Sequence, residues 1–132
     1  MPEPQDKELQ RFENPSPDKD YLIEIKIPEF TCLCPVTGQP DFASMNLKYV
    51  PSKFCVELKS LKLYIWSFRD KDGFHEAVTN LILDELVALI QPRFLKLRAD
   101  FNVRGGTYPV ITCVHKLEGW SAEGPTSFLD LS

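Results

Sequence analysis

Glu57-Leu-Lys-Ser-Leu-Lys-Leu-Tyr-Ile-Trp-Ser-Phe68 is the stretch on which the fold turns, because its apolar residues recur every three or four positions. Leu58, Leu61, Ile65 and Phe68 fall on one side and Lys59, Ser60 and Lys62 on the other, the period of a helix. Toward the N-terminus the period drops to two. Met45, Leu47 and Tyr49 alternate with Asn46 and Lys48 within Ala43 to Val50, and before them Tyr21, Ile23, Ile25 and Ile27 alternate with Glu24 and Lys26. Both segments predict strands, paired antiparallel. Toward the C-terminus, Asp70-Lys-Asp-Gly73 breaks the helix. A second helical stripe of Val78, Leu81, Ile82, Leu86 and Leu89 then runs from Phe74 to Ile90 and stops before Pro92. Leu95, Leu97, Ala99 and Phe101 alternate again, the Arg104-Gly105-Gly106 turn follows, and Val110 to Leu117 predicts a fourth strand. The order strand, strand, helix, helix, strand, strand predicts an α+β fold with two helices on one face of an antiparallel sheet.

A chain of 132 residues has room for one core. Residues 1–19 carry Pro2, Pro4, Pro15 and Pro17 among charged groups and are expected to be a polar tail. Residues 20–119 form the single domain, and residues 120–132 a second tail. With 43% hydrophobic and 26% charged residues and no apolar run of membrane length, no membrane association is expected. The first residues lack the pattern of a secretory signal, so the expected compartment is the cytoplasm and the four cysteines are expected to be thiols. The net charge of −4 and the lack of a Lys/Arg block argue against direct nucleic-acid binding.

Thr31 to Phe42 holds Pro35, Gly38 and Pro40 and reads as a loop. It sets Cys34 between a strand end and a turn with Asp41 seven residues on, where a thiol can act as nucleophile beside an acid or base. The alternative for any such cysteine is a buried filler. His75 and Glu76 open the second helix, where an acidic residue also suits the helix dipole. Lys59 and Lys62, three apart on one helical face, and Arg104, beside Gly105, are candidates for phosphates. No Gly-x-Gly-x-x-Gly follows a strand, so the residues alone name no nicotinamide cofactor. Cys32-x-Cys34 and Cys113-x-His115 lack the spacing of a structural zinc site, and no metal is expected. Cys32, Cys55 and Cys113 are read as structural.

Glu57-Leu-Lys-Ser-Leu-Lys-Leu-Tyr64, then Ser67-Phe68 and Phe74-His75-Glu76, resembles the signature of the nitrile reductases that act on 7-cyano-7-deazaguanine. Phe30-Thr-Cys-Leu-Cys-Pro-Val-Thr-Gly-Gln-Pro-Asp-Phe42 resembles the same family's nucleophile loop, and Arg104-Gly-Gly106 its downstream turn. The resemblance spans residues 30–106. It implies the tunnelling fold, shared with GTP cyclohydrolase I, in ring-shaped homo-oligomers of two stacked pentamers with sites between subunits. It further implies NADPH-dependent reduction of the substrate nitrile to an amine, on the queuosine branch of tRNA modification. Cys34 would be the nucleophile that forms a thioimide, Asp41 its proton partner and His75 a proton donor. Glu76 would hold the deazaguanine ring, with Glu57, Ser60 and His75 completing the substrate site. Lys59, Lys62, Arg104 and Gly105 would hold NADPH. Two alternatives on the same fold are a zinc-dependent cyclohydrolase and a non-enzymatic purine- or pterin-binding protein.

Overall fold

The computed structural model describes residues 8–121. In chain order these form β1 (Arg11–Glu13), β2 (Ile23–Leu33), β3 (Pro40–Val50), β4 (Phe54–Val56), α1 (Leu58–Trp66), a 3-10 turn (Ser67–Asp70), α2 (His75–Ile90), β5 (Phe94–Phe101) and β6 (Val110–Lys116). The main sheet has the order β2-β3-β5-β6, antiparallel throughout, with both helices on one face. This is the strand-strand-helix-helix-strand-strand unit of the tunnelling fold.

Alternation explains the core. Ala43, Met45, Leu47 and Tyr49 of β3 face Leu95, Leu97, Ala99 and Phe101 of β5, all at most 3% exposed. Ile82, Leu86 and Ile90 of α2 and Leu61, Tyr64 and Ile65 of α1 cover them. Each Leu, Ile, Met or Phe among them contributes about 1.5–3 kcal/mol by leaving water. The opposite face is polar: Asn46 donates to Glu24 at 2.8 Å, and Arg98 pairs with Asp100 at 3.1 Å.

Four expectations need revision. The first strand does not end at Ile27. A bulge between Ile27 and Phe30 flips the alternation, so Phe30 and Cys32 carry on the buried row, and the loop shrinks to the residues between Leu33 and Pro40. The expected N-terminal tail contains β1, which pairs with β4 in a separate two-stranded sheet. The remainder of that tail before residue 8, and the C-terminal tail beyond residue 121, lie outside the described residues. On α1 the buried face is centred on Leu61, Tyr64 and Ile65, so Ser60 turns inward at 5% exposure and Leu58 turns out at 51%. On α2 Leu81 faces out and Thr79 is buried, its hydroxyl donating to the His75 carbonyl at 2.7 Å.

Helix ends are set locally. Glu57 caps α1, its carboxylate accepting from the Lys59 and Ser60 N–H groups at 2.7 and 2.9 Å. Gln91 closes α2 in the left-handed region with φ 45°, directly before Pro92. Tyr64 ties the helices together by donating to Glu85 at 2.7 Å.

Candidate active site

Asp41 lies at the end of the buried row of β3, on the face that carries Ala43, Met45 and Leu47, and is opposite Cys32 in register. A carboxylate in that position needs partners, because a buried unpaired charge is costly. It has two. His75 Nε2 meets Oδ2 at 3.1 Å and Arg104 Nη1 donates to Oδ1. Burial alone would raise the Asp41 carboxyl, but the hydrogen bonds from Arg104 and His75 and their charges outweigh it and hold the group below the usual carboxylate value.

The partners arrive from distant segments. Leu33 bonds the chain ahead of α2 on both sides, with Leu33 N–H to the Lys71 carbonyl at 2.9 Å and Gly73 N–H to the Leu33 carbonyl at 3.1 Å. That clamp sets the first turn of α2, with His75 and Glu76, beside the end of β2. The His75 ring stacks on Phe101 with centroids 3.8 Å apart and planes 8° apart, which fixes the direction of Nε2. Arg104 starts a two-residue hairpin. Gly105 and Gly106 have φ of 60° and 83°, a pair of left-handed conformations that glycine adopts without strain. Arg104 Nη2 also donates to Gln39 Oε1 at 3.3 Å.

Cys34 sits in a loop closed by its own backbone, with Cys34 N–H to the Gln39 carbonyl and Gly38 N–H to the Cys34 carbonyl, each 2.8 Å. Thr37, through its hydroxyl and its backbone, and Val36, through its backbone, favour the charged form of the sulfur. These lower the thiol below its ordinary value, against partial burial and the Asp41 charge, which push it up. By contrast, burial pushes the Cys32 thiol up to about 11, with smaller contributions from the charges of Asp41 and Cys34. Cys34, Asp41, Gly73, His75, Glu76 and Arg104 line one cavity of about 170 Å³.

A second depression, of about 470 Å³, runs between β2 and α1. It is largely apolar, with Leu58 and Trp66 at its exposed rim and Lys59 and Lys62 at its side. Among the described residues no three His, Cys, Asp or Glu side chains converge as metal ligands would.

Residues 40–119 match the family model described as QueF-like protein. The chain is 61% identical over 122 residues, 92% of its length and 95% of the relative's, to the NADPH-dependent 7-cyano-7-deazaguanine reductase of Nitrosococcus oceani. It is 64% identical over 109 residues, 83% of this chain and 92% of the relative, to the protein of that name from Halorhodospira halophila. The chain belongs to the NADPH-dependent 7-cyano-7-deazaguanine reductase family. The fold agrees: the crystal structure of the archaeosine synthase QueF-Like in the apo form superposes with a TM-score of 0.66 at 18% identity, covering 70% of this chain and 91% of that one.

Of the residues that the resemblance to this reductase family singles out, the structure gathers Cys34, Asp41, His75, Glu76 and Arg104 in one cavity. Lys59 and Lys62 line the other depression. Glu57 and Ser60 line neither: Glu57 caps α1, and Ser60 donates to the Glu57 carbonyl at 2.8 Å and accepts from Gln10 N–H at 2.9 Å. Gly105 shapes the Arg104 hairpin. Sequence reasoning missed Thr37 and Phe101. A hydroxyl three residues after a loop cysteine was a usable signal for Thr37; Phe101 was indistinguishable from any other strand residue of the core.

Proposed function

We propose that this chain reduces the nitrile of 7-cyano-7-deazaguanine to the primary amine with NADPH, through a covalent thioimide on Cys34, in the synthesis of queuosine. The observation that carries this reading is the shared cavity, in which a thiol with a lowered pKa stands beside the buried Asp41 and its half-buried partner His75. The thiolate adds to the nitrile carbon, one π bond of the C≡N group becomes a C–S bond, and the nitrogen takes a proton. Asp41 and His75 hold and pass that proton within a single hydrogen bond of each other. Four electrons separate nitrile from amine, so the half-reduced carbon stays tethered until the C–S bond breaks. NADPH, when bound, would supply one hydride, so two NADPH in succession would complete the reduction. Glu76 has an exposed carboxylate at the cavity wall, and its two oxygens match the adjacent N–H donors of a deazaguanine ring.

Lys59 and Lys62 beside an apolar, Trp66-rimmed depression fit a dinucleotide with anionic phosphates. They would hold the cofactor, and in a ring the depression of one subunit would serve the cavity of its neighbour. Among the described residues nothing pairs with the outer edges of β2 and β6, which suits them to such pairing.

The deciding experiment is intact mass after incubation with 7-cyano-7-deazaguanine without NADPH. An increment of one substrate mass, mapped to Cys34 and missing in Cys34→Ala, is expected, and adding NADPH should discharge it as the amine. Turnover that survives Cys34→Ala would end the covalent reading. Stoichiometric zinc in active protein would favour the cyclohydrolase alternative.

A further inference from the structure

We propose that Arg104 is a positioning residue for the nucleophile: its guanidinium is the fixed cation that lets the Cys34 thiolate and the Asp41 carboxylate share one small cavity. The inference rests on the reading of Cys34 as the reacting thiolate, and it gives Arg104 a task that precedes any cofactor. Two anions lining about 170 Å³ disfavour each other, and the Asp41 charge does push the Cys34 thiol up. Arg104 answers both. It pairs with Asp41 Oδ1, is braced by Gln39 Oε1 at 3.3 Å, and lines the same cavity as Cys34, close enough for the two charges to favour each other. Its backbone is fixed by the hairpin, with Arg104 N–H to the Thr107 carbonyl at 2.8 Å and Thr107 N–H back to the Arg104 carbonyl at 3.2 Å. Its planar fork is therefore engaged by two protein acceptors, Asp41 and Gln39.

Of the other groups around the site, Thr37 and Val36, which lower the Cys34 thiol, do so as neutral donors and leave the Asp41 charge uncompensated. Glu76 adds negative charge from α2, and His75 is engaged with Asp41 Oδ2 at 3.1 Å. Cys32, behind the loop on β2, has its thiol pushed up to about 11 and stays neutral. Of the exposed pair beside Leu33, Asp72 is an acid, and the Lys71 ammonium lies over the Phe68 ring at 5.0 Å. Arg104 is thus the permanent cation among the residues lining the cavity.

The test uses the whole enzyme without NADPH or nitrile. Iodoacetamide alkylation of Cys34, followed by peptide mass to separate it from Cys113, is measured from about pH 5 to 9, the span in which perturbed thiols ionise. In Arg104→Gln the half-maximal rate should move up by about one pH unit, the scale of a single lost charge partner. Asp41→Asn should move it down, and the double variant should return close to wild type, because opposite charges are removed together. Arg104→Lys should keep most of the wild-type midpoint. A merely structural role would raise reactivity at every pH without moving the midpoint, and that outcome overturns the proposal. So does an Arg104→Gln profile that superposes on wild type while the KM for NADPH rises, which would leave the arginine to the cofactor alone. Failure to form an adduct with the nitrile would sink the thioimide but would not alter this alkylation result.

Discussion

Asp41 is 4% exposed and still ionised, because each oxygen has a charged or chargeable partner in His75 and Arg104. Its folded pKa is lowered, so the stability it contributes is complete above the unfolded carboxyl value of about 3.9 and is lost as pH falls through the lower folded value. Asp41→Asn should therefore be less stable than wild type at neutral pH, by about 1–3 kcal/mol for lost charge-assisted bonds. The gap should close in acid, because below the folded value wild type has lost the same term. Thermal melts taken from about pH 6 down to 2 measure this. Parallel curves, with a constant gap, would mean that Asp41 is not the ionised anchor. The depressed Glu57 carboxyl titrates equally in both proteins and cancels in the comparison.

At the scale of elements, the sequence was most legible where one face is simply apolar. Leu95, Leu97, Ala99 and Phe101 are all buried as the alternation of β5 predicts, and α2 starts and stops within a residue of its expected bounds. What was not legible depended on distant contacts. The three residues of β1 are too few to show a period, and the segment is held by β4 and by Gln10 N–H on Ser60 Oγ. Pro35, Gly38 and Pro40 made residues 31–42 read as a loop, although Thr31 to Leu33 continue β2 beyond a bulge and Pro40 to Phe42 begin β3. The site was readable as a motif of residue types, yet its assembly through the Leu33 clamp was not, since no local pattern records a backbone bond to Lys71 or Gly73. That clamp gives a prediction. A Cβ on Gly73 would lie 2.6 Å from Val78 Cγ2, closer than packed carbons approach. Gly73→Ala should cost about 1–3 kcal/mol by overpacking and slow adduct formation on Cys34 by shifting His75 and Glu76. Adding Val78→Ala removes the opposing methyl, so the double variant should lose less than the sum of the two single losses. Strict additivity in denaturant melts would show that the close approach carries no strain.

At the scale of the whole molecule, the described residues leave surfaces suited to contact with a neighbouring copy. Among the described residues the order β2-β3-β5-β6 has two open edges, and next to the β2 edge lies the apolar depression with Leu58 at 51% and Trp66 at 65% exposure. Contiguous apolar surface of this kind mostly marks contact with another chain. If a neighbouring copy packs there, Trp66→Asp introduces a charge into that contact while sparing the monomer, because the indole is already largely in water. Sedimentation of wild type should give a closed homo-oligomer, with ten subunits expected from the family resemblance. Trp66→Asp should sediment as smaller species with unchanged far-UV circular dichroism. Its activity should fall and then recover in part as protein concentration rises, since mass action restores the contact and with it a site made by two subunits. The concentration dependence separates assembly from a direct loss of cofactor contact at Trp66, which dilution would not alter. A Trp66→Asp protein of wild-type mass would place the subunit contact elsewhere and leave the depression to the cofactor alone.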